Sequence, residues 1–203
     1  MQIRELSIAG AFEVSPIVRN DDRGSFLEWY RHDILEAALG HSLNLRQANT
    51  SISTRGVLRG IHFADIPRGQ AKYVTVPSGA ILDYVVDIRV GSPTYGEWEA
   101  VPLDSIDFHA LYLAEGLGHA FVALTENATV SYLVSDTYRA DREHGINPLD
   151  PRIGLELPTE IPDFVLSSKD LEAPSLAEAE AAGLLPTWQQ ALDFYRSLDT
   201  KVV

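Results

Sequence analysis

KYVTVPSGAILDYVVDIRVGSPTYGEW (72–98) decides the fold class. KYVTV (72–76) and ILDYVVDIRV (81–90) are rich in β-branched and aromatic residues, which fit a pleated, half-buried surface. PSG (77–79) and GSPTYG (91–96) break these runs as turns. The pattern continues outward through WEAVPL (98–103), ALYLA (110–114), HAFVAL (119–124) and TVSYLVS (129–135), with EGLG (115–118) and TENA (125–128) between them. Short strands at close spacing, without helical crossovers, predict an all-β antiparallel sandwich or barrel.

Helical signals lie at the periphery. HDILEAAL (32–39) stops before Gly40, a glycine suited to ending a helix. Ser175 and Glu178 have capping-box spacing, and Gly183 and Pro186 break the run that follows. TWQQALDFYRSL (187–198) is a further amphipathic segment, expected to pack on the barrel or on a neighbouring subunit.

The chain has 203 residues, 45% of them hydrophobic and 22% charged, which suits one folded domain. No repeat, low-complexity tract or linker interrupts it. No run reaches the roughly 18 apolar residues of a membrane span. The charged N-terminus lacks a secretory core, so a cytoplasmic protein is expected. There are no cysteines, which removes disulfides, thiolate nucleophiles and Cys-based zinc sites. A formal net charge of -13 argues against nucleic-acid binding, although a few local arginines can still hold one phosphorylated ligand.

SISTRGVLRGIHFADIPRGQAKYV (51–74) holds the densest set of chemically useful side chains. Arg59 and His62 interrupt an apolar run, and Gln70 and Lys72 open the next strand. Strict alternation places Arg59 with Ile61 and His62 with Gly60. Both cations then face the interior only if the strand is bulged or ends there. Taken singly, each has an ordinary reading: His62 as a satisfied histidine, Arg59 as a surface cation, Lys72 as an edge charge. A metal cage is poorly supported, because His62 has no H-x-H partner and His119 stands alone on another strand.

DDRGSFLEWY (21–30), RQANTSIS (46–53), GVLRGIHF (56–63), QAKYVTVPSGAILDYVVDIRVGSPTYGEW (70–98), LAEGLGHAF (113–121), YLVSDTYRADREHGINPLDP (132–151) and LSSKDLEAP (166–174) together resemble the dTDP-4-dehydrorhamnose 3,5-epimerase family. The resemblance runs in order from about residue 3 to 175, and GLLPTW (183–188) is similar to actinobacterial members. It implies a cupin-type jelly-roll barrel with short peripheral helices. On that pattern residues 1–203 form one epimerase domain, with the core at about 20–158 and a helical tail at about 175–203. It also implies a homodimer, a dTDP-4-keto-6-deoxyglucose-type substrate, and neither metal nor nicotinamide cofactor.

The resemblance further implies roles for individual residues. His62 is the base, with Asp170 holding its imidazole, and Tyr132 is the acid on the opposite face. Lys72 meets the carbonyl oxygen, and His119 lies near the sugar. Arg23 and Arg59 meet the diphosphate, with Lys169 on the phosphate side. Gln47 and Asn49 contact the nucleotide, Glu28 and Glu143 contact the substrate, and Tyr138 stacks on thymine. The segment carrying Arg23 and Glu28 is expected to reach across the dimer. Arg55, Arg68 and Arg142 are left as solvated surface charge. Some members invert C3 and C5, and others invert one carbon in natural-product pathways; no residue here decides between them. The rival classes are a non-catalytic sugar-nucleotide-binding barrel and a metal-dependent cupin.

Overall fold

The computed structural model describes residues 1–199; Lys201 and the end of the expected tail lie outside them. The chain begins with β1 (Gln2–Glu5), β2 (Ala11–Ser15), a hairpin of β3 (Val18–Asp21) and β4 (Gly24–Leu27), and α1 (His32–Leu39). Then come β5 (Gln47–Ser53), β6 (Leu58–Ala64), β7 (Lys72–Ser78), β8 (Ala80–Val86) and β9 (Trp98–Asp104). β10 (Ala110–Leu113), β11 (Gly118–Ala123), β12 (Ala128–Val134) and β13 (Glu143–Gly145) complete the strands. α2 (Ser168–Leu171), α3 (Leu176–Ala181) and α4 (Trp188–Asp199) follow.

The strands form antiparallel sheets in the orders β1-β2-β10-β7-β12-β5 and β13-β6-β11-β8-β9, with β3-β4 as a separate ribbon. The two large sheets face each other as a cupin-type jelly roll. Val74, Val76 and Tyr112 of the first sheet share one core with Ile81, Val85 and Phe121 of the second. The outer face of the second sheet is covered as well. Leu58, Ile61, Phe63, Tyr84 and Val122 pack there with Ile146, Leu176 and Ala179 from the C-terminal segment.

This second layer explains why α3 forms. Ser175 and Glu178 make the capping box, worth roughly 1 kcal/mol. Burial of Leu176, which is 1% exposed, contributes roughly 1.5–3 kcal/mol, so packing is the larger effect. α1 matches its expected span and ends on Gly40 at φ 79°. The expected strand 81–90 stops earlier, at Val86. Asp87 accepts hydrogen bonds from Arg89, Ser92 and Thr94, and this buried cluster turns the chain.

β6 contains the bulge that strict alternation required. His62 pairs with His119 and Arg59 with Phe121, so Gly60 and Ile61 together oppose Ala120. Leu58, Ile61 and Phe63 consequently face the outer layer, while Arg59 and His62 both face the interior cleft. Gly60 adopts φ +120°, and a Cβ there would lie 2.5 Å from the His119 carbonyl oxygen. Gly60→Ala is therefore expected to cost about 2 kcal/mol or more, read as a lowered urea midpoint. An unchanged midpoint would show that the bulge tolerates a side chain.

Candidate active site

The interior cleft has two joined lobes of about 570 and 480 Å³. Arg59, His62, Tyr132, Tyr138 and Glu143 line both lobes. Gln47, Asn49, Lys72 and His119 line the first, and Lys169 and Asp170 the second. Of the residues singled out from sequence, Arg23 and Glu28 are the two that one chain does not bring to the cleft. Arg23 lies on the β3–β4 hairpin with its side chain 90% exposed and pairs with Asp21 at 2.5 Å. Glu28 pairs with Arg31 at 3.3 Å.

His62 projects from β6, and its Nε2 lies 2.7 Å from Asp170 Oδ1. Asp170 is carried by the short helix α2, whose N-cap Ser167 accepts a hydrogen bond from the Asp170 backbone N–H. Burial alone would raise the Asp170 carboxyl, but hydrogen bonds from His62, Ser167 and the Gly60 backbone N–H hold it below the usual carboxylate range. The bulge thus turns the Gly60 amide toward Asp170. An ionised carboxylate only accepts hydrogen bonds, so the proton on this imidazole sits on Nε2 and Nδ1 is left as the basic nitrogen.

Tyr132 projects from β12 in the opposite sheet and pairs in register with Asn49. Burial and the nearby Glu143 raise its phenol above the ordinary 10.0, against smaller opposing effects of Arg59 and a hydrogen bond with Asn49. It therefore holds its proton at neutral pH. Lys72, at the start of β7, is 9% exposed. Burial lowers its ammonium below the ordinary 10.5, while Glu143 and Asp83 act in the opposite direction.

Several further groups shape the cleft. The His119 imidazole lies 2.6 Å from Asp83 Oδ1, and Asp83 is fully buried. Gln70 donates to the Asp136 carbonyl at 3.2 Å and to Glu143 at 3.5 Å. Gln47 donates to Asn49 at 2.7 Å and accepts from the Tyr138 backbone N–H at 3.1 Å, so it ties the exposed Tyr138 ring to β5. Arg59 Nε donates to Ser53 at 3.2 Å.

Asp83 was not singled out from sequence, although a lone carboxylate in the apolar run ILDYVV (81–86) was a readable signal. Gln70, Ser51 and Phe121 also line the cleft, without a role implied by the sequence. Arg142 is less solvated than expected: its side chain is 31% exposed, and it donates to the Asp65 and Pro67 carbonyls. Among the described residues, no cluster of three His, Asp or Glu side chains is arranged to hold a metal ion. No described helix is long and apolar enough to cross a membrane.

A jelly-roll cleft with a carboxylate-held histidine on one sheet, a protonated phenol on the other and a buried lysine defines an acid–base isomerase. The profile of the dTDP-4-dehydrorhamnose 3,5-epimerase family matches residues 5–178. The chain belongs to that family. It is 53% identical over 203 residues, all of both chains, to a dTDP-4-dehydrorhamnose 3,5-epimerase of Mycolicibacterium smegmatis. It is also similar to the solved structure of the rmlC epimerase of Mycobacterium tuberculosis, with a TM-score of 0.96 and 47% identity over 98% of this chain and 100% of that one. ChmJ, a 3′-monoepimerase from Streptomyces bikiniensis in complex with dTDP-quinovose, is similar with a TM-score of 0.94 and 47% identity over 97% and 98% of the two chains.

Proposed function

We propose that this protein inverts C3, C5 or both in a dTDP-4-keto-6-deoxyhexose by proton transfer beside the ketone. The observation that carries the reading is the His62–Asp170 pair on one wall of the cleft and Tyr132 on the other. His62 Nδ1 removes a proton from the carbon next to C4. The electron pair moves onto the C4 oxygen, and the Lys72 ammonium stabilises this enolate. Tyr132 returns a proton to the opposite face of the same carbon. One proton leaves and one arrives with no net oxidation, so the reaction requires no redox cofactor. Arg59, Lys169 and the Gln47–Asn49 pair bind the nucleoside diphosphate, and Tyr138 stacks on its base.

The test is incubation of the keto sugar nucleotide in heavy water, followed by NMR at C3 and C5. Deuterium with inversion at both carbons makes it a double epimerase, and at one carbon a mono-epimerase. The chain is equally similar to relatives named as 3,5-epimerases and as 3-epimerases, at 53% identity each. Nucleotide binding without exchange at either carbon overturns the reading.

The proposal includes a homodimer. Ile17, just before β3, and Phe26 on β4 are 59% and 65% exposed, in the same segment as Arg23 and Glu28. A second copy covering this apolar surface would carry Arg23 to its partner's diphosphate. Light scattering is expected to give twice the chain mass, and a strict monomer would remove Arg23 and Glu28 from the site.

The alkaline limb of the pH–rate profile follows from two shifts of opposite sign. Lys72 must stay charged and its pKa is lowered, whereas Tyr132 must stay protonated and its pKa is raised. Activity is expected to fall first with loss of the Lys72 ammonium, below its ordinary 10.5. Lys72→Arg removes this titration and should move the limb upward, at reduced rate. A limb that does not move assigns it to another group.

A further inference from the structure

We propose that Glu115 is a positioning residue: through the Ser135 hydroxyl it clamps the start of β7 and so fixes where the Lys72 ammonium meets the enolate oxygen. The inference rests on the keto-sugar reading above and adds a buried carboxyl that this reading does not use.

β7 lies between β10 and β12. Its first residue, Lys72, stands opposite Leu113 on one side and Val134 on the other. One step earlier, the Ser135 N–H donates to the Ala71 carbonyl at 3.1 Å. In a regular antiparallel ladder Ala71 would return this bond to the Ser135 carbonyl. The Ala71 N–H donates instead to the Ser135 hydroxyl at 2.8 Å, and that hydroxyl donates to Glu115 Oε1 at 2.8 Å. Glu115 belongs to the turn between β10 and β11. The relay therefore runs from the end of β12, across the start of β7, to the end of β10. Bonding pairs alternate along such a ladder, so Ala71 is the anchor of Lys72 on the β12 side.

Glu115 is itself held in place. It is 3% exposed, and Tyr195 of α4 donates to its backbone carbonyl. Gly69, in the turn that enters β7, adopts φ +75°, and a Cβ there would lie 2.6 Å from the Glu115 Cβ. Burial raises the Glu115 carboxyl above the ordinary 4.5, against smaller opposing effects led by the Ser135 hydroxyl. Its Oε2 has no hydrogen-bond partner among the described residues. An apolar side chain would avoid that cost, but it could not accept from Ser135, and the Ala71 end of the ladder would lose its fixed acceptor. Lys72 is sensitive to such slack. Its ammonium is buried near the charges of Glu143 and Asp83, and a misplacement of about 1 Å can cost 10²-fold in rate.

The experiment is a double-mutant cycle, read as deuterium exchange into the keto sugar nucleotide. Glu115→Ala and Ser135→Ala each break the relay, so the second variant serves if the first does not fold. Each is expected to lower kcat roughly 10- to 10²-fold, with KM and dTDP affinity within about twofold. Glu115→Gln still accepts from the Ser135 hydroxyl and should stay within about threefold of wild type. In a Lys72→Ala background, with the slower exchange integrated over hours, breaking the relay should change the rate less than about twofold, because the group it positions has gone. An equal loss in both backgrounds, a KM effect as large as the kcat effect, or unimpaired turnover in both relay variants overturns the proposal. Amide exchange of the segment 69–75 reads the clamp without catalysis: it should quicken in the relay variants, and an unchanged rate overturns the clamp. A wild-type chain that leaves the keto sugar unlabelled would overturn the catalytic reading instead.

Discussion

His62→Ala is expected to lower turnover by roughly 10³-fold or more, with deuterium exchange lost at whichever carbons the wild type labels. The imidazole is the basic group whose Nε2 is already committed to Asp170 at 2.7 Å, and alanine leaves no base at that point of the cleft. dTDP affinity should stay within a few-fold, because Arg59, Lys169 and Tyr138 are untouched. The variant also carries a stability signature. In the wild type the Asp170 carboxyl lies below its ordinary value, so the pair contributes stability above the unfolded carboxyl pKa and loses it as pH falls through the folded one. Without His62 the largest opposition to burial of Asp170 disappears. The variant should therefore be less stable at neutral pH, and the gap to wild type should close on acidification. Normal exchange in His62→Ala would end the assignment of the base.

The strand content of 72–135 was legible because β-branched runs and turn residues alternate locally there. The short helices were legible where a glycine stop or a capping box marks them, at Gly40 and at Ser175 with Glu178. The site was less so. Asp170 is 108 positions from His62, and α2 has four residues, too few to show a period. Only the family pattern pointed to Asp170. The shared orientation of Arg59 and His62 depends on the register of β6 against β11. A glycine within a strand is compatible with a bulge, but the pairing of β6 with the distant β11 decides it. Arg23 and Glu28 mark the other limit, since one chain's structure keeps them away from the cleft that the family pattern assigns to them.

Tyr132→Phe separates exchange from inversion. The substitution removes the hydroxyl and keeps the ring, which packs against the barrel core, so folding should be preserved. His62 still removes the proton and Lys72 still meets the enolate oxygen, but the opposite face no longer has a donor. Reprotonation then comes back from the His62 side, or slowly from water. Inverted product is expected to fall roughly 10²- to 10⁴-fold, while deuterium from heavy water continues to enter the substrate with its configuration retained. That retained label is the decisive observation, because loss of binding or misfolding would abolish exchange and inversion together. Inversion at a near-normal rate would transfer the acid role elsewhere. Equal loss of exchange and inversion, with dTDP binding intact, would mean that the phenol acts before proton removal, by orienting the sugar rather than by delivering the proton.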